Sequence, residues 1–287
     1  MIRRKLYFTN SRGESVLIDG SAPPLVLTKL EGVGGAPVEI QMLRAPYQDG
    51  STFIDAVLGP RHLDVEGMIW SVRPDEVMDR RQKLVRLLNP KLGPGRLRLE
   101  IGGTVREIDA IAESSPVFPD RGAAPIQRFA VSFVCPDPAW RDPNMEIWTL
   151  AGFIGGISFP FSFPLAFGMV GQILDIMNRG DLETPVFIRM IGPLRNPVLE
   201  NQTTGERITI TRELAAGEVL EINTAFGKKS VTIIDADGNR SNGFHYVAPD
   251  SVFWQMVPGV NRISYAATEE APTSAVTLSF YHRFAGV

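Results

Sequence analysis

Cysteine and histidine are the residues of this 287-residue chain that could act as nucleophile and base or bind a metal ion. The single cysteine, Cys135, and the three histidines, His62, His245 and His282, are far apart in the sequence. A catalytic thiol needs a histidine within hydrogen-bonding reach, and a zinc site needs three or four ligands, usually in closely spaced pairs. No such spacing occurs here, so the sequence predicts neither a cysteine nucleophile nor a metal centre.

Three short motifs look like functional sites. Two of them are better explained as a turn and a loop, and the third leads into a strand. Residues 235–239, DADGN, begin like a calcium loop, yet Gly238 is at the fourth position instead of the sixth, and no glutamate follows at the twelfth. The RGD tripeptide at 179–181 is short enough to recur by chance. The run GPGRLRLEIGG (93–103) lacks the Lys-Ser/Thr of a phosphate-binding loop. We therefore predict no catalytic, cofactor-binding or metal-binding residues, no cofactor and no enzymatic activity.

The composition indicates a folded protein without a surface for nucleic acid. Hydrophobic residues make up 44% of the chain, enough for a sizeable core. The net charge of −3 supplies no basic footprint for phosphate groups, which argues against tight DNA or RNA binding. One cysteine cannot form an internal disulfide, and the basic N-terminus lacks the apolar run of a secretory signal. These features suit synthesis in a reducing compartment.

Most of the first half has the pattern of short β-strands. Alternating or β-branched runs separated by Gly, Pro and Asp predict strands at 24–33, 62–70, 97–101, 104–112 and 128–135. Gly102-Gly103 predicts a hairpin between two of them. Residues 44–62 are interpreted as a long loop.

Cys135 closes the last of these strands. It is in phase with Phe129, Val131 and Phe133, so its side chain is predicted to point into the core as an inert, buried thiol. The next residues, PDPA, contain two prolines and cannot readily continue the strand. We therefore place the end of the first domain here.

One helix is predicted in the first half, at 74–88. Pro74 suits its first turn, acidic residues follow where the helix dipole favours them, and Asn89-Pro90 ends it. Its apolar stripe is predicted to consist of Val77, Met78, Leu84, Val85, Leu87 and Leu88. Its basic residues are predicted to form a solvated face, namely Arg80, Arg81, Lys83 and Arg86.

Residues 147–174 carry no charge and are long enough to cross a bilayer. Pro160 and Pro164 would each remove a helical hydrogen bond, and apolar residues alternate from Ile157 to Phe163. The pattern favours a strand between domains or subunits, and we predict no membrane insertion.

The second half repeats the strand pattern without a comparable helix. We predict a mainly β protein, with a β-sandwich or split-barrel-like domain containing one α-helix at 1–140 and a β-sandwich or jelly roll at 171–287. Residues 141–170 are predicted to be a Phe/Pro/Gly-rich linker or bracing strand.

Several fragments follow one another in a specific order along the chain. The helix end LVRLLNP precedes GPGRLRLEIGG and FVCPDPAWRD. After them come NRGDLETPVFIRMIGPLRNPVLENQTTGE, LAAGEVLEINTAFGKKSV and PGVNRISY. Each fragment is weak alone, but their succession resembles the distal tail proteins of siphophages over nearly the whole chain.

The resemblance implies a structural role at the tip of a non-contractile phage tail. It implies a homohexameric ring formed by the N-terminal domain, an outward C-terminal sandwich of galectin-like shape, and a position in the virion. The implied partners are other copies of the chain, the tail tube protein, the hub and tape-measure proteins of the tail tip, and often receptor-binding proteins. DNA would pass through the ring without being bound tightly.

Two other classes of function remain open. A carbohydrate-binding adhesin would also be a β-sandwich without catalytic residues, and four residues could offer a stacking platform, namely His245, Tyr246, Phe253 and Trp254. We favour their assignment to the core and rim of the sandwich, because aromatic residues dominate protein cores. A hydrolase of unrecognised type is the other alternative.

Overall fold

The computed structural model describes residues 4–119, 126–150, 170–271 and 273–287. The chain forms two compact units. Unit 1 comprises residues 1–143 and 284–287, and unit 2 comprises residues 144–283. The chain therefore crosses between the units twice, and its last four residues return to the unit in which it began.

Unit 1 is a β-barrel with one helix among its described residues. Its strands are β1 (Arg4–Thr9), β2 (Ser15–Asp19), β3 (Leu25–Glu31), β4 (Val38–Leu43), β5 (Thr52–Leu58), β6 (Arg61–Trp70), β7 (Gly95–Ile101), β8 (Thr104–Ala112), β9 (Ile126–Cys135) and β10 (Trp140–Arg141). Its helix is α1 (Pro74–Leu87), followed by a 3₁₀ turn at Pro90–Leu92.

The barrel closes because β9 pairs with two strands. Seven strands of the nine-stranded sheet run in the order β8-β7-β1-β2-β3-β6-β9, and β9 also pairs with β8. Alternate residues point inward, and in β9 these are Gln127, Phe129, Val131, Phe133 and Cys135. Cys135 is fully buried, as its phase predicted.

The hairpin of β7 and β8 turns at Gly102 and Gly103, whose φ angles are 57° and 91°. Both angles are left-handed, which suits glycine.

The predicted apolar stripe of α1 is only partly correct. Val77, Leu84, Leu87 and the following Leu88 are buried in the core of unit 1, whereas Met78 and Val85 are exposed. Residues 78 and 85 are each one position after a buried residue and therefore about 100° further round the helix. The stripe is narrower than the sequence indicated.

The predicted loop at 44–62 is wrong, because it contains β5, which pairs antiparallel with β4. These two strands form a two-stranded sheet of their own. The residues of β4 are all exposed, and β5 is exposed up to its last residue.

Unit 2 is a β-sandwich. Its strands are β11 (Glu146–Leu150), β12 (Val170–Asn178), β13 (Thr184–Pro185), β14 (Phe187–Ile191), β15 (Leu194–Arg195), β16 (Val198–Asn201), β17 (Glu206–Thr209), β18 (Glu213–Leu214), β19 (Val219–Asn223), β20 (Ser230–Ile234), β21 (Arg240–Asn242), β22 (Gln255–Met256), β23 (Gly259–Ala267), β24 (Glu269–Glu270) and β25 (Ala275–Phe280). A 3₁₀ turn covers Phe244–Tyr246. The last strand, β26 (Arg283–Phe284), runs from unit 2 back to unit 1.

The two main sheets of unit 2 share one apolar core. The six-stranded sheet has the order β11-β25-β14-β19-β20-β21, and the four-stranded sheet has the order β12-β23-β16-β17. Ile188, Leu220 and Leu278 from the first sheet and Leu199 and Ile263 from the second belong to the same buried cluster. The prediction of a mainly β protein is confirmed.

The uncharged segment 147–174 lies mostly outside the described residues. Its first residues belong to β11 and its last to β12. The alternation from Ile157 to Phe163 falls in the part that is not described. None of the described helices is long and apolar enough to span a membrane.

Candidate assembly surface

The hairpin of β4 and β5 has one apolar face and one mixed face. Directly paired residues share a face. The pairs Val38–Leu58, Ile40–Ala56 and Met42–Phe53 form the apolar face. The opposite face carries the pairs Glu39–Val57, Gln41–Asp55 and Leu43–Thr52, which mix polar and apolar side chains. A β-bulge between Gln41 and Met42 keeps Phe53 on the apolar face. We call the apolar set Val38, Ile40, Met42, Phe53, Ala56 and Leu58 the hairpin face.

The hairpin face is uncovered in the single chain. Val38, Ile40, Met42 and Phe53 expose between 50% and 63% of their surface. Contiguous exposed apolar residues of this kind mark interaction sites. An isolated two-stranded hairpin is also only marginally stable in water. The hairpin face therefore has the properties of an interaction site.

The base of the hairpin is held by a buried arginine. Arg61, the first residue of β6, is 1% exposed. Its Nη1 donates to the carbonyl oxygen of Gly32 at 2.6 Å and to that of Gly34. Its Nε donates to the Pro138 oxygen at 2.8 Å, and its Nη2 donates to the Ala285 oxygen at 2.5 Å. Arg61 therefore joins the hairpin base, the end of unit 1 and the chain terminus.

Backbone geometry brings the hairpin base close to β6. Gly32 has a φ of +83°, and a Cβ there would lie 2.0 Å from the His62 carbonyl oxygen. A side chain at position 32 is therefore excluded by both conformation and space. Burial lowers the pKa of the Arg61 guanidinium from its ordinary value, and the four carbonyl oxygens compensate for the lost hydration.

The C-terminal residues complete unit 1. The guanidinium carbon of Arg106 lies 3.7 Å from the centre of the Phe284 ring, and Arg106 also donates to Asp142. The Val287 amide donates to the Val33 oxygen at 3.1 Å. The sequence assigned ring formation to residues 1–140 alone, and a fragment ending at Asp142 would lack Phe284 and the Ala285 carbonyl.

Cys135 and the histidines do not form a common site. Cys135 points into the barrel. His62 pairs with Val134, the residue before Cys135, and its side chain points outward. There the Nδ1 atom of His62 lies 2.6 Å from Glu113 Oε1. Burial raises the pKa of the Cys135 thiol to about 12. A thiol that is protonated at neutral pH and has no histidine facing it has the properties of core packing, not of a nucleophile.

Replacing Cys135 by serine is expected to leave assembly intact and to lower the unfolding free energy by about 1–2 kcal/mol. The cost arises because the new hydroxyl would lie among Phe129, Phe133 and other apolar neighbours. Chemical denaturation of the variant measures the change. Loss of assembly with an intact fold would show that the thiol has a functional role.

The other two histidines have structural surroundings in unit 2. The Arg179 amide donates to Nδ1 of His282 at 3.1 Å, so Nε2 carries the proton and donates to Glu146 Oε2 at 2.6 Å. His245 is exposed, with its ring 3.9 Å from that of Tyr246. Among the residues that the structure describes, no three His, Cys, Asp or Glu side chains cluster as a metal site would require.

The aromatic platform of the adhesin hypothesis does not form. Trp254 is fully buried, and its Nε1 donates to the Leu199 oxygen at 3.4 Å. Tyr246 and Phe253 are partly buried against the core. The assignment of these residues to core and rim is therefore the better one.

The DADGN and RGD motifs lie in a turn and a connecting segment, as the sequence indicated. Asp235 accepts hydrogen bonds from the Asp237 and Asn239 amides, and Gly238 has a φ of +85°. This turn joins β20 to the short strand β21. The next segment, GFHYVA (243–248), contains a 3₁₀ turn. The RGD tripeptide follows β12 as a connecting segment.

The basic residues of α1 lie beside acidic and aromatic partners. Arg80 pairs with Glu76 at 3.5 Å, and Arg86 pairs with Glu14 at 3.7 Å. The Arg81 guanidinium carbon is 4.4 Å from the centre of the Phe118 ring. The helix surface therefore has mixed charge.

Two family models match this chain. The siphovirus-type tail component, C-terminal domain, matches residues 179–284. The phage tail protein RIFT-related domain matches residues 22–135. Together they cover most of the chain, one in each unit. No curated protein sequence matches it significantly.

Solved phage proteins share the fold. The crystal structure of the SPP1 Dit protein, described as a paradigm of the hub adsorption apparatus in phages that infect Gram-positive bacteria, has a TM-score of 0.65 at 14% identity. That match covers 97% of this chain and 99% of the other. A chain of the phage P2 baseplate in its activated conformation has a TM-score of 0.54 at 10% identity, covering 97% and 98%.

The two matched domains, the barrel and the sandwich define a structural component of a phage tail. The chain belongs to the siphophage distal tail protein family. The members of this family are structural proteins of the baseplate hub. The family is not known for any enzymatic activity.

Proposed function

We propose that the protein forms a homohexameric ring at the tip of a siphophage tail. The ring joins the tail tube to the central tip protein and provides attachment for receptor-binding proteins. It is made in the cytoplasm of the bacterial host and becomes part of the virion. This function needs no catalytic residue, which agrees with the absence of a catalytic motif in the sequence.

The hairpin face is the observation that carries this proposal. It is a continuous apolar surface, and it projects from the barrel on an arm whose base Arg61 holds. A surface of this kind is buried in a stable assembly, because its exposure to water is unfavourable. In the proposed ring, neighbouring copies cover it.

A closed ring uses two different surfaces of each copy. The contact is heterologous, so one surface of a copy meets the other surface of its neighbour, and the rotation closes after a fixed number of copies. An arm with a single apolar face suits one side of such a contact. Unit 2 lies outside this contact in the proposal and remains available for other tail proteins.

Passage of DNA restricts which side chains can line the opening. A basic wall would hold the duplex by releasing its counterions. Arg80, Arg81, Lys83 and Arg86 are therefore placed away from the opening, facing a neighbouring copy, an acidic partner or outer solvent. Arg80 and Arg86 each pair with a glutamate of the same chain, which lowers the net positive charge of this helix surface.

Electron microscopy of the purified full chain tests the proposal. We expect six-fold rings with a central hole, and light scattering should give the mass of six copies. A map should show the four basic residues of α1 outside the hole. A monomer at micromolar concentration, or rings whose opening is lined by all four residues, would contradict the proposal.

A further inference from the structure

An exposed cluster of aromatic rings and lysines lies on unit 2. Phe226 is 77% exposed, and Lys229 Nζ lies 4.8 Å from the centre of its ring. The same Nζ lies 5.7 Å from the ring centre of Phe253, which stacks on the half-exposed Phe244 at 5.5 Å. We call Phe226, Lys228, Lys229, Phe244 and Phe253 the aromatic patch. A contiguous exposed cluster of this composition marks an interaction surface.

We propose that the aromatic patch binds an acidic, extended segment of another tail protein. The inference rests on the proposed function, in which unit 2 remains available for such proteins. The segment places carboxylates beside the two lysines and an apolar or aromatic side chain against the rings.

The charge of the patch selects an anionic partner. Lys228 and Lys229 are the only lysines in the sequence of unit 2, and both are exposed. Among the residues that the structure describes, neither lysine forms an ion pair, whereas Arg195 elsewhere on unit 2 pairs with Glu269 at 2.8 Å. Opposite charge beside an apolar contact favours a partner and orients it. The two lysines therefore favour a segment with carboxylates.

The turn that carries the patch is held in place by buried hydrogen bonds. Thr224 is fully buried, and its amide donates to the Val186 oxygen at 3.1 Å. The Val186 amide donates to Thr224 Oγ1 at 2.9 Å, and the Lys228 amide closes the turn on the Ala225 oxygen at 3.0 Å. A surface that is already ordered loses little conformational entropy when it binds.

An edge strand beside the patch favours an extended segment. β21 lies at one edge of the six-stranded sheet, and its three residues are exposed. Its last residue, Asn242, accepts the Phe244 amide at Oδ1 over 2.9 Å, so this edge leads directly into the aromatic patch. An extended peptide can pair with a sheet edge and direct alternate side chains to one surface.

Two other anionic ligands fit less well. A nucleic acid carries a phosphate at every nucleotide, and unit 2 has more acidic than basic residues, so phosphates beyond the two lysines would be repelled. An acidic glycan needs hydrogen-bonding partners for its hydroxyl groups, and a phenylalanine side chain has none to offer.

Fluorescence anisotropy with labelled peptides tests the inference on the full chain. The probes are short peptides in which one Phe or Leu is flanked by glutamates, and the matched probes carry lysine in place of glutamate. We expect the glutamate peptides to bind and the lysine peptides not to bind. Phe226→Ser should lower the affinity at least about tenfold, because it removes an exposed ring of the contact.

The charge contribution is tested by a pair of matched variants. Lys228→Gln with Lys229→Gln should weaken binding at low salt and flatten its salt dependence, because screening acts on the lost charges. The control, Arg195→Gln with Arg262→Gln, makes the same change of charge at exposed positions elsewhere on unit 2. It should leave the affinity within about twofold. Thermal unfolding of every variant should match that of the unmodified chain, because all the substituted residues are exposed.

Several results would overturn the inference. They are equal binding of lysine and glutamate peptides, binding that Phe226→Ser leaves unchanged, and no binding of any glutamate peptide up to millimolar concentration. An oligonucleotide duplex or an acidic glycan that binds the patch more tightly than every peptide would overturn it as well. Light scattering on the same samples reports the ring separately. Six copies without peptide binding contradict only this inference, and a monomer contradicts the proposed ring whether or not a peptide binds.

Discussion

Replacing both Ile40 and Phe53 by serine is expected to convert the ring to monomers. Both side chains belong to the hairpin face, and both are more than half exposed in the single chain. Burial of a large apolar side chain contributes about 1.5–3 kcal/mol. The double variant should therefore lose roughly 3 kcal/mol or more at every contact, which lowers each association constant by at least about a hundredfold. Light scattering at micromolar concentration measures the loss.

The fold of the variant should be preserved, because neither side chain contributes to the barrel core. Its unfolding free energy should change by less than about 0.5 kcal/mol beyond the loss of assembly. The matched control is the double variant Glu39→Gln and Gln41→Ser, which alters the opposite face of the same strand. This control should still form rings. Rings of normal mass from the Ile40 and Phe53 variant would show that the hairpin face is not the contact.

The sequence predicted the barrel better than it predicted this hairpin. Cys135 and its in-phase neighbours alternate cleanly because one face of β9 is buried. The hairpin has no buried face in the single chain, so core burial imposes no pattern on it. Alternation in VEIQM (38–42) was nevertheless a usable signal. In β5 the bulge puts Phe53, Ile54 and Asp55 in succession, which disrupts the alternation.

The surroundings of Arg61 could not have been predicted from local patterns. Its four carbonyl partners come from segments up to 224 residues away in sequence, and a carbonyl oxygen is common to every residue. Arginine at the start of a strand is normally a solvated residue. The narrow stripe of α1 has a similar origin, because only tertiary packing decides that Met78 and Val85 stay outside the core.

Replacing Arg61 by methionine is expected to have the largest effect on the stability of unit 1. Methionine can fill the space of the aliphatic stem, but it cannot donate to the oxygens of Gly32, Gly34, Pro138 and Ala285. These carbonyls are partly buried, and each one left without a donor costs up to about 1–3 kcal/mol. Since some of these oxygens would gain water, we expect the unfolding free energy to fall by about 3–5 kcal/mol in total. The base of the hairpin and the C-terminal residues would lose their common anchor at the same time.

Scanning calorimetry of the full chain provides the measurement and an internal reference. The unfolding transition of unit 1 should move down by roughly 10 °C, at about 2–4 °C for each kcal/mol, while that of unit 2 stays in place.

The matched control is Arg98→Met on β7, because Arg98 is exposed and pairs with Glu100 at 3.2 Å. Loss of such a surface pair should cost less than about 1 kcal/mol. Equal shifts in the two variants would show that the four carbonyl contacts of Arg61 add no net stability. A selective shift of unit 1 would mean that the C-terminal residues, which arrive from unit 2, help to hold the arm that the proposed ring requires.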